Sequence, residues 1–356
     1  MDTPTMINSA PSHPRTSRRT FLRDAARLAA GLSVAGLQGW TDAFAAAPHG
    51  AAPGTAAAGT TRPIALIANS MSNTLTIADA ASFEPLHTLP VGVEPHKFRL
   101  SQDGRSVYSC NTTSNEMIEI DLATLRSVRH IPILDPYNVI FSKDGQRLFK
   151  LAYRYTFVEV HDAQTFKRIR RLPTGRSPSH FALSPDGHWF VNSNQHSDTV
   201  SVIDTRSLAI AHVLPVDPFP AGVSTSPDGH YVFVSSGTAG TICVIATDEW
   251  RLVRRVQSGR DAHEHVMTRD GKYLFITNRG ENTTSLFDVS AQRVIEKFGV
   301  PGGPDMPVLS ADGRYLWVSG RYADITTVVD ASSLKVVRSF RTGHSPHGIF
   351  LGSSRV

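Results

Sequence analysis

From residue 63 to the C-terminus, short apolar runs alternate with polar turns. Runs such as Tyr231-Val232-Phe233-Val234 and Tyr315-Leu316-Trp317-Val318 are rich in aromatic and β-branched residues, the composition of strands. The turn before each run has one form. It reads Ser101-Gln102-Asp103-Gly104, Ser142-Lys143-Asp144-Gly145 and Ser184-Pro185-Asp186-Gly187. It recurs as Ser226-Pro227-Asp228-Gly229, Thr268-Arg269-Asp270-Gly271 and Ser310-Ala311-Asp312-Gly313. Successive turn aspartates are 41, 42, 42, 42 and 42 residues apart. Asp-Gly between two apolar runs is a strong hairpin signal, because Gly takes the positive φ that the turn needs.

Each unit predicts four short strands. Asn stands eight residues past the turn Asp at Asn111, Asn194 and Asn278, and Asn69 fits the same place near the start. A third strand ends in Asp at Asp79, Asp121, Asp162, Asp204, Asp288 and Asp330, where the side chain can cap the next turn; the fourth repeat has Ala246 there. A fourth strand follows, as in Val213-Leu214-Pro215-Val216. Four strands at this period mean propeller blades, which bury their faces only against one another. Residues 63–91 hold the second, third and fourth strands of a blade without the first, and His347-Gly348-Ile349-Phe350-Leu351 aligns with the first strand His96-Lys97-Phe98-Arg99-Leu100. The fold predicted is therefore all-β: a seven-bladed β-propeller of four-stranded antiparallel blades over residues 63–356, its ring closed by N- and C-terminal strands.

The first 62 residues carry none of this repeat. Ser17-Arg18-Arg19-Thr20-Phe21-Leu22 matches a twin-arginine export pattern. A modestly apolar stretch from Ala25 to Leu37 follows, too short and polar for a permanent anchor, and Ala43-Phe44-Ala45 has the small-x-small cleavage pattern. Residues 1–45 are read as a signal peptide cut after Ala45, and residues 46–62 as a flexible Ala/Gly/Pro/Thr linker. The mature protein is then expected in the periplasm or secreted, as a monomer without a transmembrane segment. The net charge of +5 includes no Lys/Arg run, so no nucleic-acid partner is expected. The two cysteines, Cys110 and Cys243, read as buried thiols; without a C-x-x-C-H or C-x-x-C, covalent c-type haem and a zinc ribbon are excluded.

The Ser-Pro-Asp-Gly turn, the Tyr-Val-Phe-Val strand with Asn soon after, and Val202-Ile203-Asp204 resemble the YVTN-type seven-bladed propellers, which include YncE-like and cytochrome d1-domain-like proteins. The resemblance covers nearly all of residues 63–356. It implies the fold and leaves function open, since such propellers include envelope proteins, lactonase-like enzymes and holders of d1-type haem.

In a propeller the loops entering the first strands and leaving the second strands share one face, around the channel mouth. The residue seven before each turn Asp is His96, Tyr137, Ser179, Ala221, His263 or Asp305, with His347 from the split blade. Ring closure makes blades five, six, seven and one consecutive. His263, Asp305, His347 and His96 should thus form one arc, a donor set suited to zinc, copper, manganese or non-haem iron. A single His from it could instead be an axial haem ligand. Arg279 and Arg321 should reach the same mouth and suit ligand carboxylates or phosphates, or else pair with acids such as Asp305 or Glu281. Tyr137 and His265 flank the arc, Tyr137 as a further candidate ligand-binding residue; Tyr153, at the place of Arg279 and Arg321 in blade two, offers stacking or a hydroxyl; and the remaining histidines read as solvated turn residues. No G-x-S-x-G, P-loop or Rossmann pattern is present. Three readings follow: a binding propeller for a metal, a tetrapyrrole (d1-type haem) or a small anion; a lactonase-like hydrolase or lyase using the same face; and a scaffold for an envelope protein.

Overall fold

The computed structural model describes residues 61–355. The expected signal peptide and nearly all of the expected linker lie outside the described residues. The strand pattern is that of the repeat: seven four-stranded antiparallel sheets in a ring. Blade one holds Pro95–Leu100, Ser106–Asn111, Glu116–Asp121 and Arg126–Pro132, from the channel outward. Blade seven is the split one. Its innermost strand is Pro346–Arg355, followed by Thr61–Asn69, Thr74–Asp79 and Pro85–Pro90. The closing register pairs Ile67 with Ile349 and Thr61 with Arg355. The first strand thus takes in the last two residues of the expected linker, and Arg62 Nε is tied to Asp79 Oδ2 at 2.6 Å.

Each repeated residue has a local reason. In the turns, Gly104, Gly187 and Gly229 adopt φ of +71°, +74° and +76°, in the left-handed region. The turn Ser or Thr donates to the turn Asp, as Ser226 does to Asp228 at 2.5 Å, and accepts from the strand that follows. The third-strand Asp caps the next turn: Asp79 Oδ1 accepts from the backbone N–H groups of Ala81 and Ser82 at 2.8 and 2.7 Å. The Asn position pins the second hairpin. Asn69 donates to Thr74 and Thr76, Asn194 to Thr199 and Ser201, and Asn278 to Thr283 and Ser285, all at 2.9–3.1 Å.

The core lies between blades. In Thr61–Asn69, Ile64, Leu66 and Ala68 pack on Val107, Ile118 and Ile120 of blade one. Their neighbours Ala65 and Ile67 pack on Trp317 and Val328 of blade six. Alternate residues of one strand thus seal opposite interfaces, at roughly 1.5–3 kcal/mol per buried large apolar side chain. Cys110 and Cys243 are buried free thiols within these layers. Among the described residues no helix is long and apolar enough to cross a membrane.

Candidate functional site

The seven first strands line the channel, and their entry is shaped the same way in every blade. The residue two before each channel position, from Glu94 and Asp135 to Asp261 and Ser345, has positive φ, between +44° and +69°. Pro follows it in every blade except five, where Ala262 stands. The strands then bulge. Pro304 pairs with Gly320 but Pro307 with Val318, and Ala262 pairs with Asn278 but His265 with Ile276. A bulge re-aims the residues within it. Here it turns Asp305, and the pair His263-Glu264, into the channel.

Asp305 is the hub of the upper layer and is fully buried. His263 Nε2 lies 3.0 Å from its Oδ1 and His347 Nε2 lies 3.3 Å from its Oδ2. Arg279 Nη1 donates to Oδ1 at 3.3 Å and Arg321 Nη1 to Oδ2 at 3.1 Å. Neither imidazole nitrogen is in hydrogen-bonding geometry with the carboxylate; both are buried and unpartnered. The reason is clearest at His347. Its Nδ1 lies 3.0 Å from the carbonyl oxygen of His96, so Nδ1 is the donor and carries the hydrogen. In the neutral ring Nε2 is then a lone pair, lying 3.3 Å from an anionic oxygen without being aimed at it. His96 repeats the arrangement one blade on, its Nδ1 3.0 Å from the carbonyl oxygen of Tyr137. Its ring stacks on that of His347, 3.6 Å between centroids.

Burial keeps these imidazoles neutral. It lowers the pKa of His263 to about 4, with the Arg279 charge adding to the effect, and drives His96 and His347 well below their ordinary value. Burial alone would raise the Asp305 pKa, but the positive charge of the Arg321 guanidinium opposes it, and the carboxyl lies well below its usual range.

A second layer lies one residue further along the first strands. Lys97 Nζ lies 3.0 Å from Glu264 Oε2, and His180 Nδ1 lies 2.6 Å from the same oxygen. His265 Nδ1 meets Ser224 Oγ at 2.8 Å. His180 is buried with both ring nitrogens outside hydrogen-bonding geometry, and its ring stands edge-on to His263 at 5.1 Å. The reading of the remaining histidines as solvated is therefore corrected for His180, and for His161, which is buried in blade two with Nδ1 2.8 Å from the Phe166 carbonyl oxygen.

Above the hub opens a pocket of about 350 Å³, lined by His96, Tyr137, Tyr153, His263, Arg279 and Arg321 among others. Tyr153 and Tyr137 stack at 4.5 Å, and Tyr137 lies 3.8 Å from the His96 ring, which continues the column to His347. The two guanidinium groups differ. Arg279 is clamped, giving Nε and Nη2 to Asp261 at 3.0 Å and Nη1 to Asp305. Among the described residues Arg321 gives only Nη1, to Asp305, and it is the more exposed, at 28% against 13%. Arginine pairing within the protein thus involves Asp305 and Asp261. Glu281 instead takes Lys297 at 2.8 Å.

The charges around the channel balance. Lys97 meets Glu264, Arg279 and Arg321 meet Asp305 and Asp261, and Arg154 meets Asp135. With neutral imidazoles there is no net positive charge to repel a cation. Of the four residues expected to share one ion, the ligand atoms of His263, Asp305 and His347 converge within 4.8 Å of one another, whereas His96 stands outside the group. Around an ion with bonds of 2.0–2.2 Å, neighbouring donors sit roughly 2.9–3.5 Å apart. The 3.0 and 3.3 Å separations fit that spacing. His347 also donates its Nδ1–H to a backbone carbonyl, which fixes the ring as metal-binding imidazoles are fixed, and the carboxylate is itself held by two arginines.

Comparison with known proteins agrees with this fold. A family model described as YNCE-like beta-propeller matches residues 24–353. A search of curated proteins finds no match. Among solved structures, dihydro-heme d1 dehydrogenase NirN in complex with DHE is 18% identical with a TM-score of 0.62, over 81% of this chain and 74% of that one. A functionally unknown protein from Desulfotomaculum acetoxidans is 16% identical with a TM-score of 0.70, over 81% and 98%. Kuenenia stuttgartiensis hydrazine synthase is 20% identical with a TM-score of 0.62, over 78% and 92%. At these identities the likeness is one of fold.

Proposed function

The chain belongs to the YNCE-like β-propeller family, and from that premise we propose that it is an exported binding propeller that holds a divalent transition metal at His263, Asp305 and His347. The observation that carries this reading is the His347 ring: Nδ1–H is committed to the His96 carbonyl, and Nε2, a lone pair in the neutral ring, lies 3.3 Å from Asp305 Oδ2 outside hydrogen-bonding geometry. A cation between the two resolves the repulsion. Two imidazoles and one carboxylate, with a pocket on the open side, form a donor set used for zinc and non-haem iron. Bound there, the metal would supply Lewis acidity. Arg279 and Arg321 would hold the carboxylate in place, and the His96 carbonyl would orient His347. Export is read from the Ser17–Leu22 pattern alone.

A tetrapyrrole is the second reading. The NirN likeness suggests it, and His96 supports it, because its Nε2 makes no hydrogen bond to a described residue and the residue lines the pocket. Against it, about 350 Å³ is at the small end of ligand pockets, and a macrocycle would stand largely outside.

Titration of the metal-free protein with cobalt(II) distinguishes these outcomes. The metal reading predicts saturable d–d absorption that disappears in His347→Ala and persists in Arg321→Gln. Absence of saturable absorption, or an unchanged signal in His347→Ala, would overturn it.

A further inference from the structure

The pocket above the hub presents two kinds of recognition group that the protein's own contacts leave unspent. Arg321 uses one of its three nitrogens on Asp305, and Nε and Nη2 make no hydrogen bond to a described residue. Arg279, by contrast, uses all three of its nitrogens within the protein. A guanidinium fork with two open nitrogens, fixed by a buried carboxylate, matches a planar oxyanion. The second group is His96. Its Nδ1–H is spent on the Tyr137 carbonyl, so Nε2 is left as an acceptor on the same pocket. An acceptor there asks for a ligand hydroxyl, since an oxyanion alone would be repelled by it.

The walls limit the rest of the molecule. Tyr137 and Tyr153 are stacked face to face, and both phenol pKa values are raised, by burial first, while the Arg279 and Arg321 charges pull them down. The phenols therefore remain protonated, and the guanidiniums act across the same space. With about 350 Å³ available, the molecule is small.

We infer that this pocket takes a small 2-hydroxycarboxylate, its carboxylate on the open fork of Arg321 and its hydroxyl donated to His96 Nε2. The inference rests on the metal reading only for binding strength, because a hydroxycarboxylate so placed lies over the open side of the His263–Asp305–His347 group. Arg321 and His96 are present with or without the ion.

The test uses glycolate as the hydroxycarboxylate and acetate as the analogue lacking the hydroxyl. Each is titrated calorimetrically into metal-free and zinc-loaded full-length protein. Glycolate should bind the metal-free protein, and acetate should bind at least tenfold more weakly. Arg321→Gln should weaken both ligands tenfold or more. His96→Leu should weaken glycolate selectively and bring it to the level of acetate. A melting curve matching wild type qualifies each variant as folded, and Arg321→Lys provides a second variant that keeps the charge but lacks the fork. Glycolate binding unchanged in Arg321→Gln, equal affinity for the two acids, or no saturable heat in either metal state would overturn the inference. Zinc binding without glycolate binding would leave the metal site standing and remove the hydroxycarboxylate. Glycolate binding without zinc binding would do the reverse.

Discussion

Two halves of one ring contrast sharply. Blades five, six, seven and one place His263, Asp305, His347 and His96 at the channel position; blades three and four place Ser179 and Ala221 there. The backbone is the same on both sides, including the positive-φ entry at Ser177 and Phe219 and the bulge after Pro178 and Pro220. The chemistry is therefore a matter of side chains on a repeated scaffold. The small half also makes room for the other. A Cβ at Gly222 would lie 2.7 Å from Glu264 Oε1 and 2.8 Å from the His263 carbonyl oxygen. The absence of a side chain in blade four lets blade five fill the channel.

The largest break in this contrast should come from Asp305→Ala. It leaves two guanidinium groups and two imidazoles around an empty position. Loss of a buried ion-pair partner costs about 3–5 kcal/mol, so a denaturant melt should show a drop of that size. Acid comes next. His263, His96 and His347 have folded pKa values below their ordinary 6.5, so their contribution is complete above about pH 6.5 and is lost as pH falls, toward about 4 for His263. In metal-free protein the decline should approach about 1.4 kcal/mol per pH unit for each imidazole. Replacing His263 with Phe should cut the slope by about a third, since His96 and His347 remain, and an equally steep decline in that variant would count against the burial argument. Gly222→Ala should cost roughly 1–3 kcal/mol by crowding Glu264 and His263 across the ring. The smallest effect belongs to the quiet half: Ser179→Ala removes one 3.1 Å hydrogen bond to Ser193 and should cost about 1 kcal/mol or less. A comparable loss from Ser179→Ala and Asp305→Ala would erase the distinction between the halves.

Much of the architecture was legible because the repeat is regular. The Asp-Gly turns set the period, and the unpaired first strand at His347–Leu351 gave both the closure and the blade count. The arc of His263, Asp305, His347 and His96 followed from aligning one position per blade. The second layer did not, and the reason is physical. A regular strand would send the next residue to the opposite face, but the bulges bring both residues of a pair such as His263-Glu264 to the channel. Lys97, His180 and Glu264 are also equivalent to one another, six before the turn Asp. That column of charged and imidazole groups on strands otherwise apolar was the available signal. The separation of His96 from the other three could not be read from spacing, because its ring lies one blade further from Asp305 and packs on Tyr137.

The central claim is that the chemical half of the ring holds a metal. Elemental mass spectrometry of metal per chain, on full-length protein incubated with zinc, iron(II) and copper(II) and then freed of excess ion, tests it most directly. The account predicts close to one ion per chain in wild type and in Ser179→Ala, and none in His347→Ala. No retained metal in wild type, or the same content in His347→Ala, would contradict it.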